Sequence, residues 1–272
     1  MYIILMLFNR LNGIINFNTN PLNYLINNKH FIINYSKKLG RPEWTIYSLN
    51  ANDLKKCKGG RRSFIYDQEL ISNNIYQLSP YSNIFKNQWT RAHLIPSFIM
   101  SWDKSKKCSC DKGKNCSCDK GIKCSCDKGK KCSCDKGKNS SWDKTYSMSN
   151  VIPQHKMFNM IKWQQLEIQT SKIISQHNQN VHVITGCTNF DYSNKIYFNN
   201  KIPHLRLINP KYSVVWIDEK NNFEYQIPNL MYQVIITPND ITCWIGSNYC
   251  KQNIYQVSID YLEKIIGTKL LL

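Results

Sequence analysis

Two segments of the chain hold residue types suited to one kind of chemistry. Trp89-Thr-Arg-Ala-His-Leu-Ile-Pro-Ser97 sets a guanidinium and an imidazole two residues apart. Ser149-Asn-Val-Ile-Pro-Gln-His-Lys-Met-Phe-Asn159, continuing to Trp163-Gln-Gln-Leu-Glu167, supplies two amides and a carboxylate at fixed offsets. Hydrolysis of a phosphodiester needs a base for the attacking water, positive charge for the crowded phosphorane oxygens and assistance for the leaving oxygen. Near neutral pH the natural base is a neutral imidazole, here His93. Arg91 could hold the phosphate bidentately. Taken alone, Arg-x-His describes equally a histidine satisfied in a core beside a surface arginine. Asn159 adds to the case if a metal is present, because magnesium keeps several waters and takes only one or two protein oxygens. Glu167 would then accept hydrogen bonds from the waters around that ion. A straight helix running on from Asn159 would place Glu167 about 12 Å further along its axis. Both therefore serve one ion only if Asn159 sits at the helix entrance or a bend, or if waters bridge them.

The elements that must position these groups follow from hydrophobic periodicity. Residues 89 to 94 alternate until Pro96, so Trp89, Arg91 and His93 share one strand face, with Thr90, Ala92 and Leu94 on the other. Trp163, Leu166, Thr170, Ile173 and Ile174 recur at helical spacing, predicting a helix of about four turns between residues 160 and 176. Strands are predicted at Phe31 to Tyr35, Trp44 to Leu49, Val181 to Gly186, Ser213 to Ile217 and Tyr232 to Thr237, each rich in β-branched or aromatic residues. The polar stretch 51 to 88 reads as loop with short elements, and Ile259 to Ile266, closed by Gly267, reads as a final helix. Strands around one long helix indicate an α+β fold with an antiparallel core.

From Ser101 to Lys144 the chain repeats Cys-Ser-Cys-Asp-Lys-Gly-Lys-x, and the tetrapeptide Ser-Trp-Asp-Lys occurs at both ends of this tract, at 101–104 and 141–144. Such a duplication marks a tandem repeat expanded within a surface loop, here read as a disordered, lysine-rich excursion. The paired thiols leave open a zinc or copper(I) thiolate cluster instead. Because closure entropy grows only logarithmically with length, the insertion need not unfold its host. The expected organisation is a leader or disordered N-terminus at 1–30 and one domain at 31–272, interrupted at 101–144.

The net charge of +18 favours a polyanionic partner without identifying one. Eight of the twelve cysteines lie in the repeat, and Cys57, Cys187, Cys243 and Cys250 are too scattered for a disulfide framework. The first 42 residues contain Arg10, Lys29, Lys37, Lys38 and Arg41 but no acid before Glu43, which suits an organelle-targeting leader. Met1 to Phe8 is too short an apolar run to span a bilayer, and no membrane partner is expected.

The order Arg-x-His-Leu, Ser-Asn-x-x-Pro-Gln, a second Asn nine residues after the first, then Trp-x-x-Leu-Glu resembles the DNA/RNA non-specific endonucleases. These are ββα-metal (His-Me finger) nucleases that include endonuclease G. The likeness continues in Val183-Ile-Thr-Gly186, Tyr225-Gln-Ile-Pro-Asn229 and Val257 to Gly267, and spans residues 31 to 270 outside the repeat. It implies a single ββα-metal domain with His93 as general base, Asn159 as direct ligand of magnesium (manganese can substitute), and Arg91 as stabiliser of transition-state charge. Glu167 becomes an outer partner of the ion and Asn150 an orienting amide. DNA and RNA are the implied substrates, with a homodimer as the implied assembly. A mitochondrial address is implied too, with secretion or another organelle as the alternative.

Three departures stand out. The family's Asp-Arg-Gly-His is Thr90-Arg-Ala-His93 here. Its arginine four residues after the glutamate is replaced by Ser171, beside Lys172, and a second arginine on an early strand falls on Gly40, one place from Arg41. Arg41 and Lys172 are thus the substitute phosphate contacts. The leading expectation is a magnesium-dependent, sugar-non-specific endonuclease. Its rivals are a weakened homologue that binds nucleic acid without cutting it, and a thiolate metal-binding protein acting through the cysteine repeat.

Overall fold

The computed structural model describes residues 22–28, 30–54, 62–86, 88–100, 141–189, 212–248 and 253–271, and the backbone alone at 116–117, 123–124 and 194–198. Its centre is a seven-stranded antiparallel sheet in the order β1 (Asn23–Asn27), β2 (Phe31–Ser36), β3 (Arg41–Leu49), β8 (Val181–Thr188), β12 (Leu230–Ile236), β13 (Ile241–Ser247) and β14 (Ile254–Val257). β12 lies between β8 and β13 and is buried along its whole length. A strand so placed needs apolar residues on both faces, which is why Leu230 to Ile236 reads as a nearly continuous hydrophobic run.

Period-two alternation divides the sheet into two packing surfaces. Trp44, Ile46, Ile184, Val234 and Ile236 face one way and pack with Leu262 of α4 (Ile259–Ile266). That helix begins at Ser258, whose side chain accepts from the Tyr261 backbone N–H, and ends at Gly267 with φ of 68°. A left-handed terminus of this kind favours glycine. Tyr47, Leu49, Val183, Cys187, Met231 and Ile235 face the other way, toward the long helix α3 (Gln164–Ser175) and the candidate site. A buried chain of polar groups joins α3 to this surface: Thr170 Oγ1 donates to its own helix at Leu166 O and contacts Gln233 Oε1 at 2.6 Å, and Gln233 Nε2 donates to Thr185 Oγ1 at 3.3 Å.

Two further pairings complete the domain. β9 (Asn194–Phe198) runs parallel to β10 (Tyr212–Asp218), which pairs antiparallel with β11 (Phe223–Ile227). β4 (Trp89–His93) pairs antiparallel with β7 (Val151–His155), so the two strands either side of the repeat form one ribbon. Within the repeat, β5 (Cys116–Ser117) and β6 (Lys123–Cys124) make a short pair. Short helices α1 (Gln68–Ser72) and α2 (Ser141–Lys144) complete the elements.

Two boundaries differ from expectation. Residues 23–27, expected in a leader, form edge strand β1 with Tyr24 paired to Tyr35 and Ile26 to Ile33. An asparagine-rich composition concealed this strand, and its backbone ladder needs few apolar side chains at a sheet edge. At the other boundary, Trp142 and Asp143 of the second Ser-Trp-Asp-Lys copy are buried, Trp142 in the same cluster as Ile99 and Met100. Arg62 stacks over Trp142 at 4.6 Å and bridges to Asp143. The excursion thus leaves and rejoins the fold at packed anchors. No helix among the described residues is long and apolar enough to cross a membrane.

Candidate active site

The site is built on the β4/β7 ribbon and the helix that follows it. Leu94 N–H donates to Asn150 O at 3.0 Å and Lys156 N–H to Gln88 O at 2.8 Å. Those two bonds fix the ladder phase, so the pairs Ala92–Ile152 and Thr90–Gln154 lie at hydrogen-bonded positions. Pro153, opposite Arg91, falls between them, and its missing N–H costs the ribbon nothing. The helix then opens with a π-helical turn at Phe158–Trp163, in which the Gln164 N–H reaches back to Asn159 O. Asn159 therefore stands in the widened first turns of the helix, eight residues ahead of Glu167. Such π-helical insertions interrupt regular helix phase and recur at functional sites.

The two faces of the ribbon carry different groups. Ala92 and Ile152 pack with Phe158, Trp163 and Leu166, so this face meets the helix. On the same face Asn159 Nδ2 donates to Thr90 Oγ1 at 2.8 Å. The Asn159 side-chain oxygen, Oδ1, accepts no hydrogen bond from the described residues. Trp163 is wholly buried, in keeping with the core role that its helical phase indicated.

Glu167 lies farther along α3, near enough to Tyr47 to add to the burial that raises that phenol. Burial pushes the Glu167 carboxyl up to about 8, with no compensating cation or donor among the described residues. Raised above its unfolded value of about 4.3, this carboxyl binds more protons in the folded chain across the interval from there to about 8. Stability of the metal-free protein should therefore fall as pH rises through that window and level off above it. Urea denaturation in EDTA from pH 5 to 9 checks this, and Glu167→Gln should flatten the slope.

Arg91 and His93 occupy the opposite face. The His93 ring lies 5.0 Å from Phe64 and 5.1 Å from Tyr146, edge-on to the latter. Arg91 Nε donates to Pro80 O at 2.7 Å, Nη2 shares the same acceptor, and the guanidinium lies 4.7 Å over Phe85. Partial burial lowers the Arg91 pKa. Thus the structure brings Asn159 to Thr90 and places His93 and Arg91 across the strand from them.

Three expected contacts take other roles. Arg41 is 1 % exposed, and its guanidinium is enclosed by Pro42 O, Cys187 Sγ at 2.8 Å and Asn189 Oδ1, so it cannot meet a phosphate. Neither can the neighbouring position be filled: Gly40 has φ of 63°, and a Cβ there would come within 2.5 Å of Tyr76. Lys172 is exposed on α3, about 140° round the helix from Glu167 at 100° per residue. Asn150 is fully buried and directs its whole amide to backbone: Oδ1 accepts from Ile95 N–H at 3.0 Å, and Nδ2 donates to Ile95 O at 3.1 Å and Thr145 O at 3.0 Å. It orients the two flanks of the repeat, not a substrate. Asn150→Ala would strand these three groups and is expected to cost at least about 2 kcal/mol of stability, measured by urea denaturation.

Sequence reading missed two buried polar groups that hold the ribbon. Asn248 Nδ2 donates to Pro153 O at 3.0 Å and Pro228 O at 2.7 Å, while its Oδ1 accepts from His155 N–H. Asp67 accepts from Ser149 Oγ at 2.5 Å and caps α1 through Glu69 N–H. Both partners lie more than 80 residues away in sequence, and no local pattern marks them.

The donor set suits a hard divalent ion. An amide oxygen that accepts from none of the described residues and a buried carboxyl on the same helix are oxygen groups of the type magnesium prefers. Among the described residues no group of three or more His, Cys, Asp or Glu could hold a metal, so any ion here would keep much of its water.

Comparison with known proteins yields matches in sequence and in fold. The sequence model of a family described as DNA/RNA non-specific endonuclease matches residues 11–121 and 130–271, interrupted only within the repeat. A chain of the crystal structure of the EndoG/EndoGI complex, described as showing the mechanism of EndoG inhibition, superposes with a TM-score of 0.53 at 17% identity, covering 92% of this chain and 85% of that one. None of the curated proteins matches.

Proposed function

Because the chain belongs to the DNA/RNA non-specific endonuclease family, and is thereby a metal-dependent nuclease, we propose that it is a magnesium-dependent endonuclease cutting both DNA and RNA at the β4/β7 ribbon. One observation carries the assignment of the metal end. The Asn159 nitrogen is held by Thr90, leaving its side-chain oxygen without a donor among the described residues, in the first turns of the helix that carries Glu167. A divalent ion held there would contribute positive charge to the phosphate and the leaving oxygen.

His93 takes the proton of the attacking water. It is the last residue of β4, three positions beyond Thr90, the partner of Asn159. Phe64 and Tyr146 restrict the imidazole to a narrow range of orientations, which favours proton transfer once substrate is in place. Arg91 supports the phosphate after exchanging Pro80 O for a phosphate oxygen. That engagement is the one observation in favour of the weakened homologue, because the guanidinium already has an acceptor.

Supercoiled plasmid and an RNA transcript, each incubated with purified protein and magnesium, test the reading. Both should be cut, and EDTA should stop both reactions. Cutting in EDTA would contradict the metal requirement, and activity on a single polymer would contradict indifference to the sugar.

A further inference from the structure

The hydroxyl of Thr90 carries one proton and two lone pairs. Its register partner across the ribbon is Gln154, and Thr90 Oγ1 donates to the Gln154 carbonyl at 3.3 Å. With its proton directed there, the hydroxyl can meet Asn159 only as an acceptor. The amide must then present its nitrogen to Thr90, at 2.8 Å, and its oxygen away from the strand. An asparagine without such a neighbour can turn over and offer two N–H donors, which would repel a cation. The π-helical turn frees Asn159 from the regular helix phase, so this single bond selects which end of the amide faces the metal position.

We propose that Thr90 is a positioning residue for the metal: it transmits the polarity of the Gln154 carbonyl to Asn159 and so fixes the amide oxygen as the ligand. The inference rests on Asn159 being the ligand, and its test separates the two ideas. Manganese binding to the intact protein, measured by calorimetry without substrate, is the readout, with the thermal midpoint recorded alongside. Thr90→Val removes the acceptor while keeping the shape. It should weaken manganese binding by about 10- to 100-fold, the range for loss of a partner that orients a ligand. Thr90→Ser keeps the hydroxyl and should bind within about threefold of wild type on the same scale. Thr90→Asp, a pure acceptor, should also retain binding, because it imposes the same amide orientation. Thr90→Ala serves in place of the valine variant if the latter does not fold. A Thr90→Val or Thr90→Ala protein that binds manganese as wild type does, while Asn159→Ala does not, would overturn the role of Thr90 alone. Unchanged binding by Asn159→Ala would overturn both ideas. A merely structural role would lower the thermal midpoint and leave manganese affinity unchanged, which also contradicts the proposal.

Discussion

Alanine at position 93 is expected to slow plasmid cleavage by about 10²- to 10⁴-fold, the range for loss of a positioned general base. Metal affinity should not change, because the His93 ring lies against Phe64 and Tyr146 on the ribbon face away from Asn159. The loss should appear in kcat with little change in KM, since a base that acts only on the attacking water contributes to the transition state and not to ground-state binding. His155, the other imidazole of the ribbon, cannot stand in. It sits at the far end of β7 against Trp89, and burial lowers its pKa. Kinetics over a range of substrate concentration in saturating magnesium check the expectation. A proportionate rise in KM would assign His93 to binding instead.

Asn159→Ala carries the second large effect. Removing the amide oxygen takes away the proposed protein ligand. Metal affinity should fall by more than the roughly 10- to 100-fold typical of an outer partner. Cleavage should therefore be lost at low magnesium and recover in part as magnesium is raised, a titration shift that His93→Ala does not show. Equal magnesium dependence in wild type and Asn159→Ala would remove Asn159 from the metal site. Since the Asn159 side chain is half-buried at a helix entrance and makes one bond to Thr90, the substitution should leave the fold standing.

Much of this arrangement was legible in the chain. Alternation placed Arg91 and His93 on one strand face, and helical phase placed Trp163, Leu166, Thr170 and Ile174 in the core, because both patterns depend on local side-chain direction alone. The closing helix and its glycine terminus were equally local. β7 was not anticipated, since Val151-Ile-Pro-Gln-His holds a proline that argues against a central strand. In a two-stranded ribbon the position opposite Arg91 needs no ladder donor, so the objection does not apply.

The site failed to be legible where it depended on distant partners. Arg41 offers the same guanidinium whether it faces solvent or Cys187, and only the pairing of β3 with β8 decides that it is enclosed. Asn150 was expected as an orienting amide, but the groups it holds, the backbone of Ile95 and Thr145 at the two ends of the excursion, could not be named from the sequence. Thr90 looked like a departure from an acidic position and proved to contact Asn159, a bond invisible until the helix is folded onto the ribbon. Long-range contacts of this kind leave no periodicity in the sequence.

The initial rate of supercoiled plasmid nicking in magnesium, compared between wild type and His93→Ala, tests most directly whether this ribbon and helix form a working nuclease site. Wild type should nick the plasmid, and the variant should be slower by at least about 100-fold. An inactive wild type, or a variant that cuts as fast, would contradict that reading.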